Sequence, residues 1–167
     1  DEATKILEAL GCNKAHIGQF MSHPQFTVTR RYAIAAAMKD LGHVKGINYY
    51  VGRVLNATNG EMALFYQRQI EMAAAYNRNQ RPLVAVGYAN GMPVYEDKDG
   101  ARIAFVPVDV LYWNKSVEDR LAGLKKSDAA KGVQVWITGM ATPKAMSKLV
   151  EAGLITKEKA GILLGGM

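Results

Sequence analysis

The hydrophobic period of this chain changes near residue 82, and that change limits its fold more than any single motif does. Before it, apolar side chains recur at the three-to-four spacing of helices; after it, they alternate in short runs. Leu83-Val-Ala-Val-Gly-Tyr88, Met92-Pro-Val-Tyr95 and Arg102-Ile-Ala-Phe-Val106 are separated by Asn90-Gly91 and Asp99-Gly100. Dipeptides of this kind favour the left-handed backbone of two-residue hairpins, so the three runs are predicted to form an antiparallel meander.

The first half is predicted to be helical. Residues 2–10 form an amphipathic segment that Gly11 closes, and a second segment over Asn13–Met21 is interrupted by Gly18. Thr27 is placed to cap a helix running to Leu41, with Ile34, Met38 and Leu41 on one side and Gly42 as its left-handed terminator. Thr58-Asn-Gly-Glu61 has capping-box spacing ahead of a helix over 62–77, and Gly46–Leu55 reads equally as strand or helix. Beyond the meander, Ser116 is predicted to cap a helix through Leu124 that ends in a polar Lys125-Lys-Ser-Asp128 loop. Val133–Ile137 follows as a strand, Thr142-Pro143 and Gly153 frame another helix, and a last helix starts near Thr156.

This order predicts an α+β fold: N-terminal helices, a three-stranded antiparallel meander, then a helix-strand-helix-helix segment. At 167 residues one domain is expected, with a helical part over 1–81 and a mixed part over 82–167. A chain of this size buries roughly 70% of its unfolded surface, and with one cysteine, Cys12, it is held by packing rather than by an internal disulfide. The longest apolar-rich run, Phe105–Trp113, carries Pro107 and Asp109 and is too short to span a bilayer, so a strand in the core is expected there. The start at Asp1-Glu-Ala is compatible with cleavage after a small residue, which leans the reading toward an exported protein, periplasmic or extracellular; the apolar, glycine-rich Gly161–Met167 end suits docking on a partner.

The formal net charge is +6, and residues 27–60 hold most of the excess: five cations against Asp40 give +4, whereas 82–113 carry −2. Arg30, Arg31, Lys39, Lys45 and Arg53, with Tyr32, Tyr49 and Tyr50 among them, are the candidate anion-binding residues. Cations hold phosphates and tyrosines stack on bases, but the same residues describe a solvated basic face beside core tyrosines. A nucleic acid, an anionic membrane surface or an acidic protein each fits this charge.

Asp109 is the candidate acid–base carboxylate, because burial in Val106-Pro-Val-Asp-Val-Leu-Tyr-Trp113 would raise its pKa; the alternative is an Asp that turns outward beside Pro107. Cys12, His16, His23 and His43 are the candidate metal ligands. Cys12 and His16 share a face if 12–16 is helical, but no second pair completes a tetrahedral set, so no metal and no cofactor are expected. Asp97-Lys-Asp99-Gly100 imitates the opening of a calcium loop without its later glutamate and reads better as a hairpin turn. The Thr138–Thr142 loop before a helix offers N–H groups to an anion, with Lys144 one turn on. No nucleophile elbow or Ser-x-x-Lys motif accompanies these. The sequence therefore favours a non-catalytic binding or protein-interaction domain with a basic 27–60 surface over an enzyme acting through Asp109 or a nucleic-acid binder. A protein or anionic-surface partner is expected before a small-molecule substrate.

Overall fold

The computed structural model describes residues 1–124 and 132–166, so the expected 125–128 loop lies outside the described residues. The chain is a mixed α+β protein, as its period predicts, and it divides into two compact units, Asp1–Ala74 and Ala75–Met167.

The first unit is helical. α1 (Glu2–Ala9) is capped by the Asp1 carboxylate, which accepts from Thr4 N, and left-handed Gly11 ends it. α2 (Lys14–Met21) is capped by Asn13 and runs through Gly18 without a break, because burial of Ile17 and Phe20 outweighs the weak helix preference of one glycine. α3 (Val28–Asp40) is capped by Thr27, and its Ile34, Ala35 and Met38 are fully buried. Gly42 is not left-handed here. The Leu41 N–H closes the helix on Ala37 and Met38 carbonyls, and the left-handed residue comes later, at Gly46.

From Gly46 the undecided segment forms one 3-10 turn, Ile47–Tyr49, and then α4 (Tyr50–Val54). α1 packs on α2 and α3, and α2 packs on α4. The α4 Tyr50 hydroxyl donates to the Tyr66 carbonyl and meets Gln69 Oε1 on α5 (Gly60–Asn79), which satisfies a buried phenol where an unpaired one would cost about 1–3 kcal/mol. α5 starts one residue later than the Thr58 box implies. Asn59 Oδ1 accepts from Met62 N, so Asn59 is the cap, while Thr58 Oγ1 lies against Met62 Sδ.

The second unit is built on a five-stranded sheet of order β1-β2-β3-β5-β7. β1 (Leu83–Ala89), β2 (Met92–Asp97) and β3 (Arg102–Val106) form the expected meander, with left-handed Asn90, Gly91 and Gly100 in its turns. β4 (Val110–Leu111) leaves this sheet and pairs with β6 (Met140–Ala141) in a separate two-stranded parallel ribbon. β5 (Val133–Ile137) adds to β3 in parallel, and β7 (Ile155–Lys157) adds to β5, also in parallel. Thr156 therefore lies in a strand and not in the expected last helix, which is α8 (Ala160–Leu163).

α6 (Lys115–Ala122) is capped by Asn114, whose side chain accepts from Val117 N, two residues before the expected Ser116. It shares one core with α7 (Pro143–Glu151): Leu121 and Leu124 meet Ala104, Val106, Val135, Ile137, Ala145 and Leu149. On the other face of the sheet, Tyr76 from the last turns of α5 sets its ring edge against Phe105 and Trp136, and Tyr95 packs on Phe105. The Tyr76 hydroxyl donates to Asp97 Oδ2 at 2.9 Å. The apolar C-terminal run is partly docked, with Leu164 buried and its carbonyl accepting from Asn79 Nδ2, while Ile162 and Leu163 remain exposed. Among the described residues no helix is long and apolar enough to cross a membrane.

Candidate functional site

Pro107 has no N–H to give a sheet and ends β3, so the apolar run Phe105–Trp113 does not continue into the core as one strand. The chain turns out through Val108 and Asp109 and re-forms as β4 beside β6. Gly139 makes this approach achievable, because a Cβ there would overlap the Asp109 carbonyl. The Gly139 and Met140 N–H groups donate to the Val108 and Asp109 carbonyls at 2.8 and 2.9 Å, and Thr138 Oγ1 donates to Val108 O at 3.0 Å. Lys159 N donates to Gly139 O at 2.8 Å, and Ala141 N donates to Glu158 Oε2 at 2.9 Å.

The result is a firmly hydrogen-bonded ribbon that carries apolar side chains outward. Val110 sits in register with Met140, and the two are 43% and 49% exposed. Tyr112, 64% exposed, comes two residues after Val110, the spacing that returns to the same side of an extended chain. Sequence reasoning missed Val110 and Tyr112 by reading the run as buried, and took Met140 only as part of an anion-binding loop; the signals that mark the ribbon are Pro107 and Gly139.

Asp109 is exposed on this ribbon, which corrects the expectation of a buried carboxylate. The outward-turning alternative describes its place. The anion loop before α7 is also internally used. From Thr138 to Thr142 every N–H has an acceptor in the protein: the carbonyls of Val106, Val108 and Asp109, the Glu158 carboxylate and the Leu111 carbonyl in turn. Glu158 stands where an incoming carboxylate or phosphate would bind.

The five basic residues are not gathered at one point. Arg30 Nη1 donates to Gln25 O at 3.1 Å and Arg31 Nη1 to Phe26 O at 2.6 Å, so both half-buried arginines hold the loop that leads into α3. Lys39 lies nine residues after Arg30, about two and a half helical turns, which places the two on opposite sides of α3. Lys39 and Lys45 are exposed and Arg53 is half-buried on α4. Of the tyrosines among them, Tyr32 and Tyr49 are exposed and Tyr50 is core.

The four metal candidates do not converge either. Cys12 precedes the Asn13 cap and so lies outside α2, off the helical face of His16; burial pushes its thiol up to about 11, opposite to what a ligand or nucleophile needs. His16 lies against Gly52, where its ring fills the space of a Cβ. His23 Nδ1 accepts from Gln25 N, which leaves the proton on Nε2 to donate to Leu55 O at 3.2 Å. His43 is exposed after α3. Among the described residues no three His, Cys, Asp or Glu side chains group as a metal site.

The calcium-like turn is a hairpin. Asp97, 2% exposed, accepts from the Asp99 and Ala101 N–H groups through Oδ1 and from Tyr76 through Oδ2, and Asp99 pairs with Arg81 at 2.5 Å. Burial, then the Asp97 hydrogen bond and charge, push the Tyr76 phenol well above its ordinary range. Comparison with protein-family models, with curated proteins and with solved structures gives no match, so likeness assigns this chain neither a family nor an activity.

Proposed function

We propose that this protein is a binding domain that engages another protein through the β4–β6 ribbon. The observation that carries the reading is the pairing of exposed Val110 and Met140, with exposed Tyr112 two residues after Val110, on a backbone fixed by Gly139 and Glu158. Apolar side chains held out on a rigid frame are the usual chemistry of a protein contact: burying them on a partner recovers roughly 25 cal/mol per Å2 with little ordering cost. Tyr112 supplies an aromatic anchor with a polar tip.

A photo-crosslinking aromatic residue in place of Tyr112, introduced in the cell of origin, is expected to give a discrete protein adduct that M140S abolishes. An adduct formed from position 39 but not from 112 overturns this reading. That outcome would favour a second one, an anionic partner for Lys39 and Lys45, which rests on their exposure together with exposed Tyr32 and Tyr49.

A further inference from the structure

The chain contains two Asn-Gly dipeptides, Asn59-Gly60 and Asn90-Gly91, and both asparagines are exposed. Asparagine before glycine is open to self-modification because no side chain shields the following N–H. The glycine nitrogen gives up its proton to water or base and attacks the asparagine Cγ; an N–Cγ bond forms, the Cγ–Nδ2 bond breaks, and Nδ2 takes up a proton and departs as ammonia, which leaves behind a cyclic imide. Water then opens the ring at Cγ to give aspartate, or at the main-chain carbonyl to give isoaspartate. No oxidant or reductant enters the reaction, and ring closure requires the asparagine backbone to rotate.

The two sites differ in what that rotation disturbs. Asn59 caps the twenty-residue helix α5 through Met62 N at 2.9 Å, and Gly60 is already the first helical residue, so closure there takes the helix start apart. Asn90 is at the tip of a two-residue hairpin with φ +49°, followed by Gly91 at +77°, and only the turn has to move. Beyond the turn its side chain is tied to α6: Nδ2 donates to the Asp119 carbonyl in the last turn of that helix at 3.0 Å. Gly123, the C-cap of α6, is packed so closely that a Cβ on it would lie 3.3 Å from Ala89 Cβ and 3.4 Å from Asn90 Nδ2.

We propose that Asn90 is a spontaneous deamidation site, and that its conversion releases the β1–β2 hairpin from the end of α6. The product removes the donor and places a carboxylate against a carbonyl oxygen at the negative end of a helix, so an attraction becomes a repulsion.

The test is to hold the purified full chain in mildly alkaline buffer and to follow the peptides containing Asn59 and Asn90 by mass spectrometry. The Asn90 peptide is expected to gain aspartate and isoaspartate several-fold faster than the Asn59 peptide. In parallel, N90D is compared with the unmodified chain by amide hydrogen exchange, with faster exchange expected in 115–122 and none gained in α3. Conversion of Asn59 at an equal or greater rate overturns the site assignment, and unchanged exchange across α6 in N90D overturns the release.

Discussion

Two buried phenols on the same sheet face separate a satisfied polar group from an unsatisfied one. Tyr76 gives its proton to Asp97, whereas the Tyr95 hydroxyl, fully buried, has no hydrogen-bond partner among the described residues. Tyr76→Phe removes one of the three donors that hold a buried carboxylate and is expected to lower unfolding free energy by about 1–3 kcal/mol. Tyr95→Phe deletes a hydroxyl that gains nothing in the core, so its denaturation midpoint should equal or exceed that of the unchanged chain. Alkaline pH reads the same chemistry. Cys12 goes from an ordinary 9.0 to about 11 by burial, and Tyr76 and Tyr95 are also raised, so the unfolded chain loses these protons first. The Cys12 contribution is complete below pH 9 and falls as pH rises from 9 through about 11, whereas those of the tyrosines begin to fall only above pH 10. Denaturant midpoints measured across that window should decline, and the decline should be shallower in Cys12→Ala.

Helix ends show where sequence is informative and where it slips. Thr27 and Thr142 each precede a helix without a rival and cap it as their spacing implies. Thr58 and Ser116 each compete with a nearby asparagine, and in both cases the asparagine, a cap residue at least as good, wins. Asn59→Ala and Asn114→Ala are therefore expected to cost about 1 kcal/mol each, and Thr58→Ala and Ser116→Ala only a fraction of that, by chemical denaturation. The meander was legible because its turns are encoded locally by Asn90-Gly91 and Asp99-Gly100. The addition of β5 and β7 in parallel was not, since such pairing joins strands through long crossovers and leaves no local signature. The ribbon was hidden for a related reason: Pro107 announces a strand end, but where the chain goes next depends on Gly139, thirty-two residues further along.

For the molecule as a whole, +6 spread over many elements behaves differently from +6 in one patch. Arg30 and Arg31 are committed to loop carbonyls, whereas Lys39 and Lys45 point into solvent, so the legible excess in 27–60 overstates the cations that a polyanion meets. Composition counts charges and cannot see which guanidinium N–H groups the backbone has already taken. Each phosphate neutralised contributes a slope of about −0.9 to log affinity against log salt on duplex DNA. With duplex DNA as the probe, K39A/K45A should flatten the slope of the full chain by up to about 1.8. R30A/R31A should leave that slope within error while lowering the denaturation midpoint, because its arginines brace the Gln25–Phe26 loop rather than meet the ligand. If the arginine pair flattens the slope as much as the lysine pair does, the guanidinium groups leave their carbonyls on binding, and the five cations act as one surface after all.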